Sequence, residues 1–248
     1  MVKDLFLIHH WSPAEIAGRL RLEHHQCVIS YNTIYRAIYA GEFDDKPLSH
    51  GNRGAVRNLR PRGKSHHTRT YTERQGSIVI SHDISERPIG AENRSWRGHW
   101  ECDTVLGKQG KACLVTLVDR KSRYLLGDKA AKKNAQAVNE VMLRELNGQP
   151  LRSLTPDQGK EFANHAAVTE ALEGVQFYFP PPHQPWQRDS NENTNGLLRE
   201  YFPKGMDLTP VSETYIQQVF AELNLRPRMC LGYKPPYEVC HSKKLHLA

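Results

Sequence analysis

The spacing of apolar residues divides the chain into three stretches. In the first, Ile16 and Leu20 recur at helical spacing within "WSPAEIAGRL". Ser12 stands at an N-cap position, Pro13 at the first helical position, and Glu15 three residues after the cap, the pattern of a capping box. A second helix is predicted in "SYNTIYRAIYAG", with Ser30 as its cap, Ile34 and Ile38 as its inner face and Gly41 as its stop. Together they read as helix, turn, helix, over residues 1–43. Tyr31, Asn32, Thr33 and Arg36 fall near the start of the second helix. From such positions a recognition helix reaches base edges and phosphates.

The second stretch, residues 44–90, has no such period. "GNRGAVRNLRPRGKSHHTRT" holds few large apolar residues, several Gly and a basic residue at short intervals. It predicts a linker or extended arm. Arg53, Arg57, Arg60, Arg62 and Lys64 give that arm the means to track a phosphate backbone.

From about residue 97 the period changes to two. "WECDTVLG" and "ACLVTLVDR" predict strands joined by "KQGK", and "RYLLG" offers a third. A helix follows in "AAKKNAQAVNEVMLRELNG", where Val138, Met142 and Leu146 share a stripe and Gly148 ends it. "LRSLTPDQGKEF" reads as a short buried strand running into a loop at Asp157. A helix from about Glu161 to Glu173, the strand "VQFYF" and a last helix holding Glu192 complete the order. Three hairpin-joined strands followed by βα units predict an α/β fold, a mixed sheet flanked by helices, over residues 91–248 with a C-terminal helix at its end.

Charge narrows the partners. The net charge is +7 and the pI about 9.2, which favours a polyanion. Residues 1–78 carry 12 Lys/Arg against 7 Asp/Glu, and residues 79–248 carry 22 against 20, so the excess lies toward the N-terminus. The five Cys never form Cys-x-x-Cys, which argues against a structural zinc or a disulfide framework and for a reducing cytoplasm. The pairs His9-His10, His24-His25 and His66-His67 lack Cys partners at zinc spacing. No apolar run has the length of a membrane span, and the first residues do not read as a signal peptide.

Three acids stand out. Asp103 lies inside a predicted strand, sharing a face with Glu101 while Trp100, Cys102 and Thr104 take the other. A carboxylate there is costly unless paired, hydrogen-bonded or bound to a cation. Asp157 sits at the exit of another strand, and Glu192 begins a helix 35 positions later among three Asn. Carboxylates from three elements suit Mg²⁺, a hard cation that takes oxygen ligands. Two such ions about 4 Å apart support phosphodiester displacement without a nucleophilic side chain. Taken singly, each acid also reads as a strand-edge acid, a turn brace or a helix-dipole partner. Motifs for other chemistries, such as Gly-Lys-Ser/Thr or His-Glu-x-x-His, are missing from the sequence.

The stretches "WSPAEIAGRL", "ISYNTIYRAIY", "RGHWECDTVLG", "TLVDRKSRYLL", "SLTPDQGKEFA", "PWQRDSNENTNGLLREYFPKG" and "LNLRPRMCLGYKPPYEV" occur in order over most of residues 11–240. In them the chain resembles the IS-thirty family of bacterial insertion-sequence transposases. The resemblance implies a ribonuclease H-like, integrase-type catalytic domain and a DDE triad of Asp103, Asp157 and Glu192. It implies two divalent ions, Mg²⁺ or Mn²⁺, with Asp103 bridging them and the other two acids each completing one. The implied reaction is cleavage at an element's ends followed by strand transfer into target DNA. The implied partners are double-stranded DNA, bearing the terminal inverted repeats or serving as target, and further copies of the chain; the implied setting is the bacterial cytoplasm and nucleoid. Lys160 and Arg188, beside triad acids, are candidates for phosphate contact, and Arg226 and Arg228 for DNA contact or packing of the C-terminal helix.

The chain departs from the family pattern in having Cys102 and Asp189 where Gly is usual and Gln158 where Asn is usual. Asp189 adds negative charge three residues before Glu192. Family members usually begin with a further DNA-binding region, so a truncated copy, a fragment or a shorter reading frame is expected. Two other readings stand beside the transposase: a catalytically inactive DNA-binding protein, and a hydrolase that uses paired carboxylates on another substrate.

Overall fold

The computed structural model describes residues 1–46, 52–59, 78–181 and 189–247. Of the expected DNA-contacting set, Arg60, Arg62, Lys64 and Arg188 lie outside the described residues, as does the His66-His67 pair. The chain forms two compact units, Met1–Thr72 with Leu225–Ala248, and Glu73–Asn224.

The first unit opens with α1 (Val2–Leu7), α2 (Pro13–His24) and α3 (Tyr31–Tyr39). The capping box of α2 is present: the Glu15 N–H donates to Ser12 Oγ at 3.3 Å and the Ser12 N–H to Glu15 Oε2 at 2.7 Å. Ser30 caps α3 by accepting the Thr33 N–H at 3.1 Å. Ile16, Leu20, Ile34 and Ile38 are buried together with Phe6, Trp11 and Phe43. Helical spacing leaves the far side of α3 to solvent, and Tyr31, Asn32, Thr33 and Arg36 are all exposed there.

Part of the expected arm is folded. Gly54–Asn58 form a 3-10 turn whose Ala55 is buried in the same core. The Ala55 N–H donates to Asp44 Oδ1 at 2.7 Å. A single buried Ala and one capping acid produce no hydrophobic period, so the sequence pattern does not reveal them. Arg53 and Arg57 remain exposed on this turn.

The second unit is built from β1 (His82–Asp83), α4 (Ile89–Glu92), β2 (His99–Leu106), β3 (Cys113–Asp119), β4 (Leu125–Ala130) and α5 (Ala135–Leu146). It continues through β5 (Ser153–Thr155), α6 (His165–Ala171), β6 (Gln176–Phe179), α7 (Asp189–Leu198) and α8 (Glu213–Leu225). Among the described residues the strands make one sheet in the order β1-β6-β5-β2-β3-β4. β2, β3 and β4 are antiparallel neighbours, and β2, β5, β6 and β1 run parallel. This is the mixed α/β sheet expected from the sequence. β1 was not legible, because two residues cannot display a period.

Parity along the strands assigns the two faces. Trp100 and Cys102 pack with Val115 and Leu117 under Val138, Met142 and Leu146 of α5. Val105, Leu114 and Val118 pack under Leu197 and Leu198 of α7 and Phe220 of α8. Glu101 and Asp103 therefore lie on the α7 face. The helix expected over Glu161–Glu173 is instead a 3-10 turn, Lys160–Phe162, followed by the shorter α6. The break turns both Glu161 and Phe162 inward, leaving them 3% and 1% exposed.

From Leu225 onward the chain belongs to the first unit, although the pattern along the sequence runs it on from the sheet region. Arg226, 2% exposed, donates to Glu15 Oε2 at 3.0 Å, so it packs the unit rather than facing DNA. Glu238 of α9 (Pro236–His241) accepts from Arg19 at 2.7 Å. These ion pairs join residues more than 200 positions apart, beyond the reach of any local pattern. Among the described residues no helix is long and apolar enough to cross a membrane.

Candidate active site

The parallel pairing of β5 with β2 places Thr155 level with Glu101. Asp103 follows Glu101 by two residues within β2, and Asp157 follows Thr155 by two residues, past the end of β5. Asp157 Oδ1 accepts the Gly159 N–H at 2.9 Å, which closes a tight turn. A Cβ at Gly159 would lie 2.8 Å from Asp157 Oδ1 and 2.5 Å from Glu161 Oε2, so a side chain there would push these two carboxylates aside.

Glu192 comes from the other side. Asp103 Oδ1 accepts the Thr104 N–H at 2.7 Å, and Asp103 Oδ2 accepts a hydrogen bond from Asn195 Nδ2 at 2.9 Å. Asn195 stands three residues after Glu192, on the same side of α7. One turn earlier, the Asn191 N–H donates to Glu101 Oε2 at 2.9 Å. Glu101 is fully buried and paired with Arg120. α7 is thus tied to β2 at two points four residues apart, with the exposed Glu192 between them. Of the Asn residues around Glu192, Asn195 thus hydrogen-bonds Asp103 directly.

A cation already stands among the acids. Lys133 Nζ lies 2.9 Å from Glu161 Oε1, which also accepts from Thr104 Oγ1 at 2.9 Å. Burial works against the charge on Lys133. The hydrogen bond and charge of Glu161, followed by the charges of Asp157 and Asp103, outweigh it and raise the pKa. Lys133 and Glu161 were not singled out from the sequence. Glu161 follows Asp157 by four residues, but its role depends on contacts with β2 and with the approach to α5. Among the described residues, no three His, Cys, Asp or Glu side chains draw together into a metal-holding group. The donor chemistry nevertheless suits a hard cation, since carboxylate oxygens are its preferred ligands and the charges of Glu161, Asp157 and Asp103 all act on Lys133.

The departures from the family pattern have plain structural correlates. Cys102 is buried in the core under α5, on the face opposite Asp103. Gln158 Nε2 donates to the Pro180 carbonyl at 3.0 Å. Asp189 is paired with Arg94 at 2.5 Å. Burial pushes the Asp189 carboxyl up, but the Arg94 hydrogen bond and charge, with Arg123 and Arg120 behind it, hold it below its usual range. The extra charge beside Glu192 is therefore balanced locally. Lys160 is exposed two residues beyond Gln158. His99 is buried at the opposite end of β2, bonded to Ser153 Oγ at 2.7 Å and away from the acids.

Comparison with known proteins gives the family of the chain. Residues 94–235 match the integrase core domain. The chain is 37% identical over 243 residues to the transposase for insertion sequence element IS1086 of Cupriavidus metallidurans, covering 94% of this chain and 69% of that protein. It is 38% identical over 239 residues to the transposase InsI for insertion sequence element IS30A of Escherichia coli, covering 92% and 61%. It is 37% identical over 231 residues to the transposase for insertion sequence element IS4351 of Bacteroides fragilis, covering 92% and 68%. The chain thus spans about two thirds of the length of these relatives. The matching integrase core domain and these similarities place this chain in the IS-thirty family of insertion-sequence transposases.

Proposed function

We propose that this protein cuts DNA at the ends of a mobile element and joins the freed 3′-hydroxyl to target DNA. The observation that carries the reading is the tie between Asn195 and Asp103, which holds the helix of Glu192 against the strand of Asp103. Asp103, Asp157 and Glu192 would hold Mg²⁺ or Mn²⁺, which when bound supplies Lewis-acid activation of the attacking oxygen and stabilises the leaving one. The protein's own groups orient and balance charge. Asn195 and the Thr104 N–H fix both Asp103 oxygens, and Lys133 offsets the mutual repulsion of the acids. Outer groups that orient such ligands are typically worth 10- to 100-fold in affinity or activity.

Binding of DNA falls to the first unit. The exposed Tyr31, Asn32, Thr33 and Arg36 on α3 suit groove and phosphate contact, and Arg53 and Arg57 add charge. Arg60, Arg62 and Lys64 would extend that basic surface, and Lys160 and Arg188 would meet phosphate near the acids. Joining two DNA ends calls for a pair of subunits, so a homo-oligomer on DNA is part of the proposal.

The test is cleavage of a labelled duplex carrying the element's own ends, with Mg²⁺ or Mn²⁺. The parent is expected to nick it, and Asp103→Asn to bind it without nicking. A parent that binds this duplex but never nicks it with either ion would reduce the protein to a DNA-binding role.

A further inference from the structure

A second cavity lies at the far end of β2. Pro88, Ile89, Gly90, Trp96, His99 and Arg152 line a space of about 550 Å³, within the range of small-ligand sites. Two of its apolar residues face solvent, Ile89 at 80% and Trp96 at 57% exposed. The Arg152 guanidinium sits 4.6 Å from the Trp96 ring centre, a stacked cation–π pair.

The back of the cavity is polar. His99 is 2% exposed and its Nδ1 bonds Ser153 Oγ, yet its Nε2 is buried with no hydrogen-bond partner. Such a group costs stability unless a ligand completes it. Gly90 packs beside it: a Cβ there would lie 3.5 Å from both Nε2 and the Trp96 ring, in ordinary contact with each. Burial first, then the charge of Arg152, lowers the His99 pKa to about 4. The neutral ring therefore offers a single directed donor or acceptor. A flat ligand with a hydrogen-bonding edge and an attached anion matches all three features: a stacking platform, one polar contact at depth and a guanidinium at the rim. A nucleotide is such a ligand, and aromatic–arginine platforms hold unpaired bases in this way.

The cavity also lies on the relevant side of the sheet. His99, Glu101 and Asp103 alternate onto one face of β2. Four residues separate His99 from Asp103, about 13 Å of strand. That equals about four base-pair steps of duplex.

We propose that this cavity holds one unstacked DNA base, displaced from the duplex about four steps from the phosphate at Asp103. The proposal rests on the reading that the protein handles DNA, but not on the metal chemistry. The test uses a short duplex bearing a single unpaired 2-aminopurine, beside the same duplex fully paired. The parent is expected to bind the unpaired form more tightly and to quench its fluorescence. Trp96→Ala, at an exposed position that leaves the core intact, should lose the quench and weaken that binding roughly 5- to 150-fold. Binding of the paired duplex should not change, and Trp96→Phe should restore most of the effect. The proposal is overturned if Trp96→Ala keeps both the quench and the preference, or if the parent binds the two duplexes alike without quenching. A parent that binds neither duplex overturns the DNA reading itself, and the base pocket with it.

Discussion

Glu101→Ala is the most severe single change the site offers, although Glu101 is not one of the three acids proposed to hold metal. Glu101 is fully buried, pairs with Arg120, itself 3% exposed, and accepts the Asn191 N–H at the start of α7. Truncation leaves a buried guanidinium without its counter-charge, which costs about 3–5 kcal/mol. It also strands the Asn191 N–H, worth a further ~1–3 kcal/mol, and the two losses share one site and will not add fully. Against a typical domain stability of about 5–15 kcal/mol, the variant should stand near the edge of folding. For a unit of this size the melting midpoint should fall by roughly 6–20 °C. Glu101→Gln, which keeps an acceptor for Asn191, should lie between the variant and the parent. The double change Glu101→Met with Arg120→Met removes both charges at similar volume and should return to within about 2 kcal/mol of the parent. It should still nick DNA more slowly, because the first turn of α7 has lost its tether while Asn195 keeps its own. Thermal melts followed by circular dichroism read the stabilities, and the duplex assay reads the nicking. The reasoning fails if Glu101→Ala melts within about 3 °C of the parent, or if the double variant is as unstable as the single one.

Three further outcomes are expected. Asn195→Ala should slow nicking roughly 10- to 100-fold by freeing Asp103 to turn, with duplex binding unchanged in a gel-shift assay. Ser12→Ala should cost about 1 kcal/mol by breaking the α2 cap, read from urea midpoints of the whole chain. Buried His99 titrates at about 4 in the folded protein, below its ordinary 6.5; below pH 6.5 the unfolded chain therefore binds the extra proton. Stability from this group is complete above 6.5 and falls by about 3 kcal/mol as pH drops toward 4, and in denaturant titrations across that range His99→Gln should flatten the slope.

The active-site region was legible to unequal depths. Asp103 could be picked out because a carboxylate inside an apolar strand calls for a partner, and period two put Glu101 on its side. The capping box of α2 and the stripe of α5 followed from spacing alone, since helix geometry relates residues three and four apart. Glu161 and Lys133 could not be found this way. Each looks like an ordinary surface charge until the 3-10 turn swings Glu161 under Thr104 and the approach to α5 carries Lys133 to it. For His99 likewise no local pattern marks its place, and only packing reveals an imidazole nitrogen with nothing to bond.

Local order along the chain determined most of the helices and strands, which face of β2 carries acids, and that Asp103 lies inside a strand while Asp157 and Glu192 lie at a strand exit and a helix start. Those features depend on neighbours within a turn or a pleat, and the sequence records them directly. Tertiary structure alone decided that β5 docks parallel to β2 in the register that pairs Thr155 with Glu101. It alone bound α7 through Glu101 and Asn195, and returned Arg226 and Glu238 to the N-terminal helices. Pairings across about 50 to 220 residues are chosen by burial and charge balance over the whole folded unit, and no short window of sequence contains both halves of such a choice.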